Sequence, residues 1–516
     1  MMKKLLSILT ALCLMLPGLA CAESKESLQI DMSKWQYDSE NDIYWQVGAQ
    51  YCTNPADASY ETLGIFVPGS YFDAAQNADG SFSCIINETG TVNGFTAKSA
   101  PVLFPVNTPG HKAQAAPTDF SKSAVPYNGN GFIYVIAGCR GKEAGIPAAV
   151  TDLKAAIRFI RANLDVLPGD TNRFVAFGMS GGGSQTAVLG ASGNSELYDP
   201  YLIDLGAADE SDAINAAMCW CPITGFDSAD EGHEWSMGIT RSGLDHEMQS
   251  ISDGLAAAYA DYVNAMGFTD ENSQILMLEA SDEGIFQAGN YYDYVKAVIE
   301  TSLEHYLTDT TFPASAGKGN SAITYQTAQD YIDALNVDGD WVYYDETTGT
   351  VSISSISAFS RHMKKATKPV AAFDKLEAGG HDLFNTGDGE MTHFDAVLAG
   401  LVKGSAYEAD FTDDLSRLDS MENTIAYRLR MFSPLSYLMP TNMDYGTSDV
   451  AEYWRIRTGI SQSDTPLTTE INLALALQSY GAQVDFETVW GQGHTMAERS
   501  GNAEANFIAW VLELYQ

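Results

Sequence analysis

Gly178-Met179-Ser180-Gly181-Gly182 stands between an apolar run and a helix-forming one that begins near Gly183. A GxSxG segment in that strand-turn-helix setting lifts a serine hydroxyl onto a tight elbow, where it can attack a carbonyl carbon. The residues two before and two after the nucleophile must be small, because their side chains would collide, and Gly178 and Gly182 meet that demand. Gly181 then presents its backbone NH at the helix start, facing the oxyanion that forms during attack. A glycine-rich turn can instead cradle phosphate, but GxxxxGK is absent and no acidic ribose-binding residue follows at the usual spacing. A serine hydroxyl at neutral pH needs a base, held by an acid, expected in the chain order Ser, Asp or Glu, His. His494 lies in Trp490-Gly491-Gln492-Gly493-His494, directly after the last strand-like run, and is the candidate base. His111, His233, His381 and His393 compete for the role, but none follows that run. Asp464 precedes His494 by 30 residues and is the candidate acid. Asp464-Thr465-Pro466 also opens a helix, so capping is its competing use. The second oxyanion donor is expected in Asn107-Thr108-Pro109-Gly110-His111, with Gly110 the candidate. The chemistry these residues can perform is two-step acyl transfer.

The surrounding pattern is a mostly parallel sheet flanked by helices, because β-rich runs over 63–67, 102–106, 132–137, 173–178 and 216–221 alternate with helical stretches. After Pro147, residues Val150, Leu153, Ile157, Ile160 and Leu164 are spaced as one apolar helical stripe under a polar face. From 231 to 440 the alternation gives way to acidic helical segments and a hairpin-like stretch from Trp341 to Ile353, which reads as an inserted lid. It resumes with a strand over 451–457, a helix over 467–478, a strand over 484–490 and a last helix ending near Tyr515. The expected division is therefore core over 23–230, lid over 231–440 and core again over 441–516.

Lys3 and Lys4 ahead of an apolar run from Leu5 to Leu16, then Pro17 and small residues, read as a secretory signal over 1–22. Ala20-Cys21-Ala22 fits ordinary cleavage, and Gly18-Leu19-Ala20-Cys21 loosely resembles a lipobox that would tether the protein to a cell surface through Cys21. A secreted or surface location follows, with no transmembrane segment, since a span needs roughly 20 apolar residues. The 516 residues carry 28 Lys and Arg against 67 Asp and Glu, a net charge of -39, which repels nucleic acid and anionic lipid. Cys52, Cys84, Cys139, Cys219 and Cys221 remain after the leader, an odd number that argues against a full disulfide framework, although Cys52 with Cys84 could close one loop. No cysteine spacing suggests a metal site, and the acyl-transfer chemistry requires no cofactor.

The stretch Pro147 to Ala156, then Gly178 to Gly182, Leu189-Gly190-Ala191-Ser192-Gly193-Asn194, Tyr198-Asp199-Pro200-Tyr201, Cys221-Pro222-Ile223-Thr224 and Glu234-Trp235 resembles the bacterial tannase-like, feruloyl-esterase-like branch of the α/β-hydrolases. The likeness is dense from about 134 to 235 and from 454 to 494, and thin in the insertion. It implies an α/β-hydrolase fold with a large inserted lid, Ser180 as nucleophile and His494 as base. Such tannases carry an Asp-Arg-Asp-Thr stretch whose first aspartate serves the triad and whose second holds a galloyl hydroxyl. This chain has Gln462-Ser463-Asp464-Thr465 instead, so either Asp464 takes the triad role or the acid comes from elsewhere, Asp444 and Asp449 being weaker candidates. Near Ala372-Phe373-Asp374, Lys365 or Lys368 could stand for the family's galloyl-binding lysine, whereas Gly379 to Phe384 lacks the expected glutamate. The resemblance thus implies a serine esterase for small aromatic or plant-phenolic esters. A serine peptidase of the same fold remains an alternative, as does an exported binding protein with a degenerate site.

Overall fold

The computed structural model describes residues 28–316, 322–376 and 380–516. The expected leader over 1–22, with Cys21, and Gly379 of the insertion lie outside them. Nine strands form the central sheet: β1 (Gln36–Asp38), β2 (Ile43–Gln50), β3 (Thr62–Pro68), β4 (Pro101–Val106), β5 (Ile133–Ala137), β6 (Asp170–Met179), β7 (Ala216–Trp220), β8 (Tyr453–Gly459) and β9 (Gln483–Val489). Their spatial order is β1-β2-β3-β5-β4-β6-β7-β8-β9. The first three strands pair antiparallel with their neighbours, and every pair from β5 to β9 is parallel. The inner strands are buried on both faces, which is why they read as continuous apolar runs rather than alternating ones.

Helices α1 (Ile146–Ala162), α2 (Gly181–Ala191), α7 (Leu467–Tyr480) and α8 (Ala503–Tyr515) connect or follow the parallel strands. Between β7 and β8 the chain makes a long excursion that includes α3 (Ala229–Met237), α4 (His246–Met266), α5 (Asn290–Asp309) and α6 (Ile356–Met363). It also holds the expected hairpin, observed as Val342–Asp345 paired with Thr350–Ile353. Trp235, Tyr259, Tyr291 and Phe373 from the excursion share one hydrophobic cluster with Phe104, Val175 and Trp220 of the sheet. A second cluster, including Ile251, Leu255, Leu398 and Phe411, belongs to the excursion itself.

The expected polar face of α1 is buried too. Asp152 meets Arg140 at 2.7 Å, and Lys154 reaches Asp212 at 2.7 Å and the Ser192 carbonyl at 2.6 Å. The periodicity located the apolar stripe at Val150, Leu153, Ile157 and Ile160, while Leu164 falls past the helix end at Ala162 and is half-buried; neighbouring segments supply charged partners that let the opposite face be covered as well. The possible bridge between Cys52 and Cys84 is not formed; both are free, as are Cys139, Cys219 and Cys221. Burial pushes the Cys52 and Cys84 thiols up to about 12, so neither is a ready thiolate.

Candidate active site

Ser180 caps α2 with φ 61 and ψ -123, a backbone conformation that non-glycine residues rarely adopt. Its NH donates to the Trp220 carbonyl at 2.9 Å, which ties the elbow to the adjacent strand. A Cβ on Gly178 would lie 2.5 Å from the Gly182 carbonyl, and one on Gly182 only 2.0 Å from the Val106 oxygen. The turn therefore closes only with glycine at both positions.

His494 follows β9 and places Nε2 2.7 Å from Ser180 Oγ. Several contacts hold its loop. Trp490 Nε1 donates to the Tyr331 hydroxyl at 2.8 Å, and Gln492 Nε2 donates to the Glu498 carbonyl at 2.7 Å. The Glu498 carboxylate is gripped by both Arg455 Nη atoms at 2.7 Å and by Trp220 Nε1 at 3.1 Å. Burial lowers the imidazole's pKa below the ordinary histidine value; Asp464 pulls it up, while Lys368 and Lys364 push it down. A neutral imidazole is the form able to accept the serine proton.

Asp464 sits in the loop after β8 with Oδ2 3.6 Å from His494 Nδ1 and its side chain 45% exposed. That is longer than a hydrogen bond, and Nδ1 is buried with no hydrogen-bond partner among the described residues. Lys368 closes over the same loop, donating to the Asp464 carbonyl at 2.8 Å with Nζ 3.9 Å from Oδ1 and 4.6 Å above the Phe373 ring. Asp444 and Asp449 are engaged elsewhere. Asp444 is held by the fork of Arg430 at 2.7 and 2.8 Å. Asp449 pairs with Asn194 beyond the far end of α2, whose 11 residues set it about 16 Å from the elbow.

The loop after β4 packs on the first turn of α2. A Cβ on Gly181 would meet the Thr108 oxygen at 2.4 Å and the His111 nitrogen at 2.6 Å. Gly110 and His111 take φ 61 and 58, so the chain turns sharply beside the elbow. His111 Nε2 lies 2.9 Å from Ser184 Oγ, which itself donates to the Gly181 carbonyl at 2.8 Å. The serine has one proton, so the imidazole donates to it. Burial pushes His111 down to about 3, leaving it neutral. His111 is thus an anchor for the loop carrying Gly110 rather than a rival base. His233 lies beside Glu234, His381 beside Asp382 and His393 beside Asp374.

The anchoring roles of His111, Ser184, Lys364 and Glu470 leave no signature in the spacing of the sequence. Glu470 stands in the first turn of α7, where an acidic residue ordinarily complements the helix dipole, so its type carried no further signal. Among the described residues no cluster of His, Cys, Asp and Glu is suited to holding a metal ion, and no helix is long and apolar enough to cross a membrane.

Residues 110–279, which span the elbow and the start of the excursion, match the BD-FAE family model. No curated protein sequence gives a significant match. Among solved structures, a tannin acyl hydrolase in complex with ethyl gallate is 27% identical, covering 92% of this chain and 94% of its own, with a TM-score of 0.70. A tannin acyl hydrolase from Lactobacillus plantarum is 26% identical over 95% of this chain and 99% of its own, with a TM-score of 0.71. A tannase from Fusobacterium nucleatum is 24% identical over 95% and 99%, with a TM-score of 0.73. The fold is that of the α/β-hydrolases, and the chain is tannase-like across nearly its whole length.

Proposed function

We propose that this chain is an exported serine ester hydrolase of tannase type that acts on small aromatic or plant-phenolic esters through an acyl-enzyme. The observation that carries this reading is the 2.7 Å contact between His494 Nε2 and Ser180 Oγ at a strained elbow. His494 takes the hydroxyl proton as Ser180 attacks the ester carbonyl, and returns it to the departing alcohol. The NH groups of Gly181 and Gly110 hold the oxyanion, and losing one such donor typically reduces kcat about 10²–10³-fold. Asp464 stabilises the imidazolium once it forms; the Coulomb attraction that appears on protonation favours closing its 3.6 Å separation from Nδ1. Water, activated by the same histidine, then frees the acid. The excursion over 231–440 serves as a lid, since Lys368 reaches from it to the Asp464 loop. The aromatic acyl preference is supported by the ethyl gallate complex of the similar tannin acyl hydrolase.

The test is hydrolysis of a gallate, a hydroxycinnamate and a short aryl acetate by wild type, Ser180→Ala and Asp464→Asn. Loss of activity by about 10⁶-fold in Ser180→Ala and on the order of 10⁴-fold in Asp464→Asn is expected. Unchanged hydrolysis in Ser180→Ala overturns the serine mechanism. A wild type that binds phenolic esters without cleaving them establishes the binding-protein alternative instead.

A further inference from the structure

The loop that carries Asp464 is built around Gln462, only 3% exposed. Its side-chain oxygen accepts the NH groups of Asp464 at 2.9 Å and Thr465 at 3.0 Å. Its amide nitrogen donates to Glu470 Oε1 at 3.1 Å and to Thr465 Oγ1. Its own NH donates to the Gly459 carbonyl at 3.2 Å, at the end of β8. Its carbonyl accepts from Nζ of Lys364, which caps the end of α6 in the excursion. One residue therefore ties together both sides of the turn, the strand before it, the helix after it and the inserted segment.

Glu470 completes the frame from α7. Its Oε1 also accepts Thr458 Oγ1 at 3.1 Å and Thr465 Oγ1 at 2.9 Å, and the residue is fully buried. Three donors converge on one Glu470 carboxyl oxygen, and two of them, Gln462 and Thr465, flank the half-exposed Asp464 in the chain. No hydrogen bond fixes the Asp464 carboxylate to His494 in the resting geometry, so its distance from Nδ1 is set by the backbone that Gln462 holds.

We infer that Gln462, Thr465 and Glu470 are positioning residues that hold the Asp464 loop in register with His494, with Lys364 joining the inserted segment to the same frame. This rests on the reading of Ser180, His494 and Asp464 as the reacting triad. The charged groups that face His494 are Asp464, Lys364 and Lys368. Those that face Glu470 are Lys364 and, through its thiol, Cys221. Removal of Asp464 from reach therefore lowers the pKa of the imidazole further, which moves the acid limb of Ser180 reactivity to lower pH while its plateau falls.

The test measures the rate at which a fluorophosphonate labels Ser180, across pH, in full-length protein. This readout depends on the nucleophile and its base, with no need to know the natural ester. Wild type, Ser180→Ala, Asp464→Asn, Gln462→Ala and the Asp464→Asn/Gln462→Ala double variant are compared, alongside their melting curves. Gln462→Ala is expected to slow labelling by about 10²-fold, as small misplacements of catalytic groups do. It should shift the acid limb in the same direction as Asp464→Asn, and the double variant should be no slower than Asp464→Asn alone. Thr465→Val removes the hydroxyl that bonds both Gln462 and Glu470 and leaves their direct 3.1 Å contact, and should show the same limb shift with a smaller loss if Gln462→Ala does not fold. Full multiplication of the two single effects, or a lower melting temperature with an unmoved limb, would overturn the positioning role and leave the triad intact. An Asp464→Asn protein that labels like wild type removes the acid and its frame together. Failure of the probe to modify Ser180 removes the triad itself.

Discussion

The placement of Ser180 on a strand-helix elbow and of His494 in the loop after the last strand was legible because both signals are local. The elbow demands glycine two residues on either side of the serine, and a Cβ at Gly182 would sit 2.0 Å from the Val106 oxygen. The base needs a short loop after the last strand, and Gly491 and Gly493 mark one. Asp464 was only half legible. Its position after β8 was readable, but a helix cap predicts the same residue at the same place, and only the structure sets it 3.6 Å from Nδ1. His111 and Glu470 were not legible, because their roles come from what packs around them rather than from spacing. The titration of His494 follows from its burial. Burial holds its pKa below the ordinary 6.5, so the neutral base persists into mildly acidic solution. The acid limb of kcat/KM should therefore lie below pH 6.5 and activity should fall as pH drops through it, which a pH-rate profile on an aryl acetate will check.

At the scale of elements, β3 to β9 were legible because their runs are short, apolar and bounded by breakers, whereas the antiparallel edge strands β1 and β2, largely solvent-facing, carry no such run and were not among those expected. Helix α1 shows where such reading stops. Periodicity separates apolar from polar positions, but cannot say that Asp212, 58 residues after Lys154, will cover the polar side. Asp212 receives Lys154 at 2.7 Å, Arg158 at 2.8 Å and the Asn194 NH at 2.8 Å. Burial works against its carboxylate, yet Lys154 and Arg158 more than offset it and hold its pKa below the usual range. Asp212→Asn should destabilise the fold by about 3–5 kcal/mol, since it leaves Lys154 buried without a counter-charge; urea melts measure this. The sign with pH follows from the depressed folded value. The contribution is present above the unfolded aspartate value near 3.9 and is lost as pH falls through the folded one, so wild type should lose more stability on acidification than the variant.

Across the whole molecule, the excursion between β7 and β8 is packed into the same hydrophobic cluster as the sheet, and it reaches the Asp464 loop through Lys364 and Lys368. The sequence signalled an insertion by the loss of strand-helix alternation, and the resemblance offered Lys365 or Lys368 as a substrate contact, but neither showed that Lys364 and Lys368 would bond the backbone of the Asp464 loop, because such contacts join residues about 100 positions apart. Net charge is a second molecular property with a measurable consequence. At -39 the folded chain repels itself, and salt screens that repulsion. The melting temperature should rise as NaCl is raised from about 10 mM to about 150 mM, where the screening length falls from about 30 Å to about 8 Å. A fall would mean that paired surface charges outweigh the net repulsion.

Acylation of Ser180 by an ester, with His494 as its base, leaves an intermediate that can be trapped. The protein is mixed with a slowly deacylating aryl ester, quenched in acid within the first turnover, digested and analysed by mass spectrometry. One acyl group on the peptide containing Ser180, released with a stoichiometric burst of phenol and absent in Ser180→Ala and His494→Ala, is the expected result. Turnover of the ester with an unmodified Ser180 peptide, or an adduct that persists in Ser180→Ala, would contradict it.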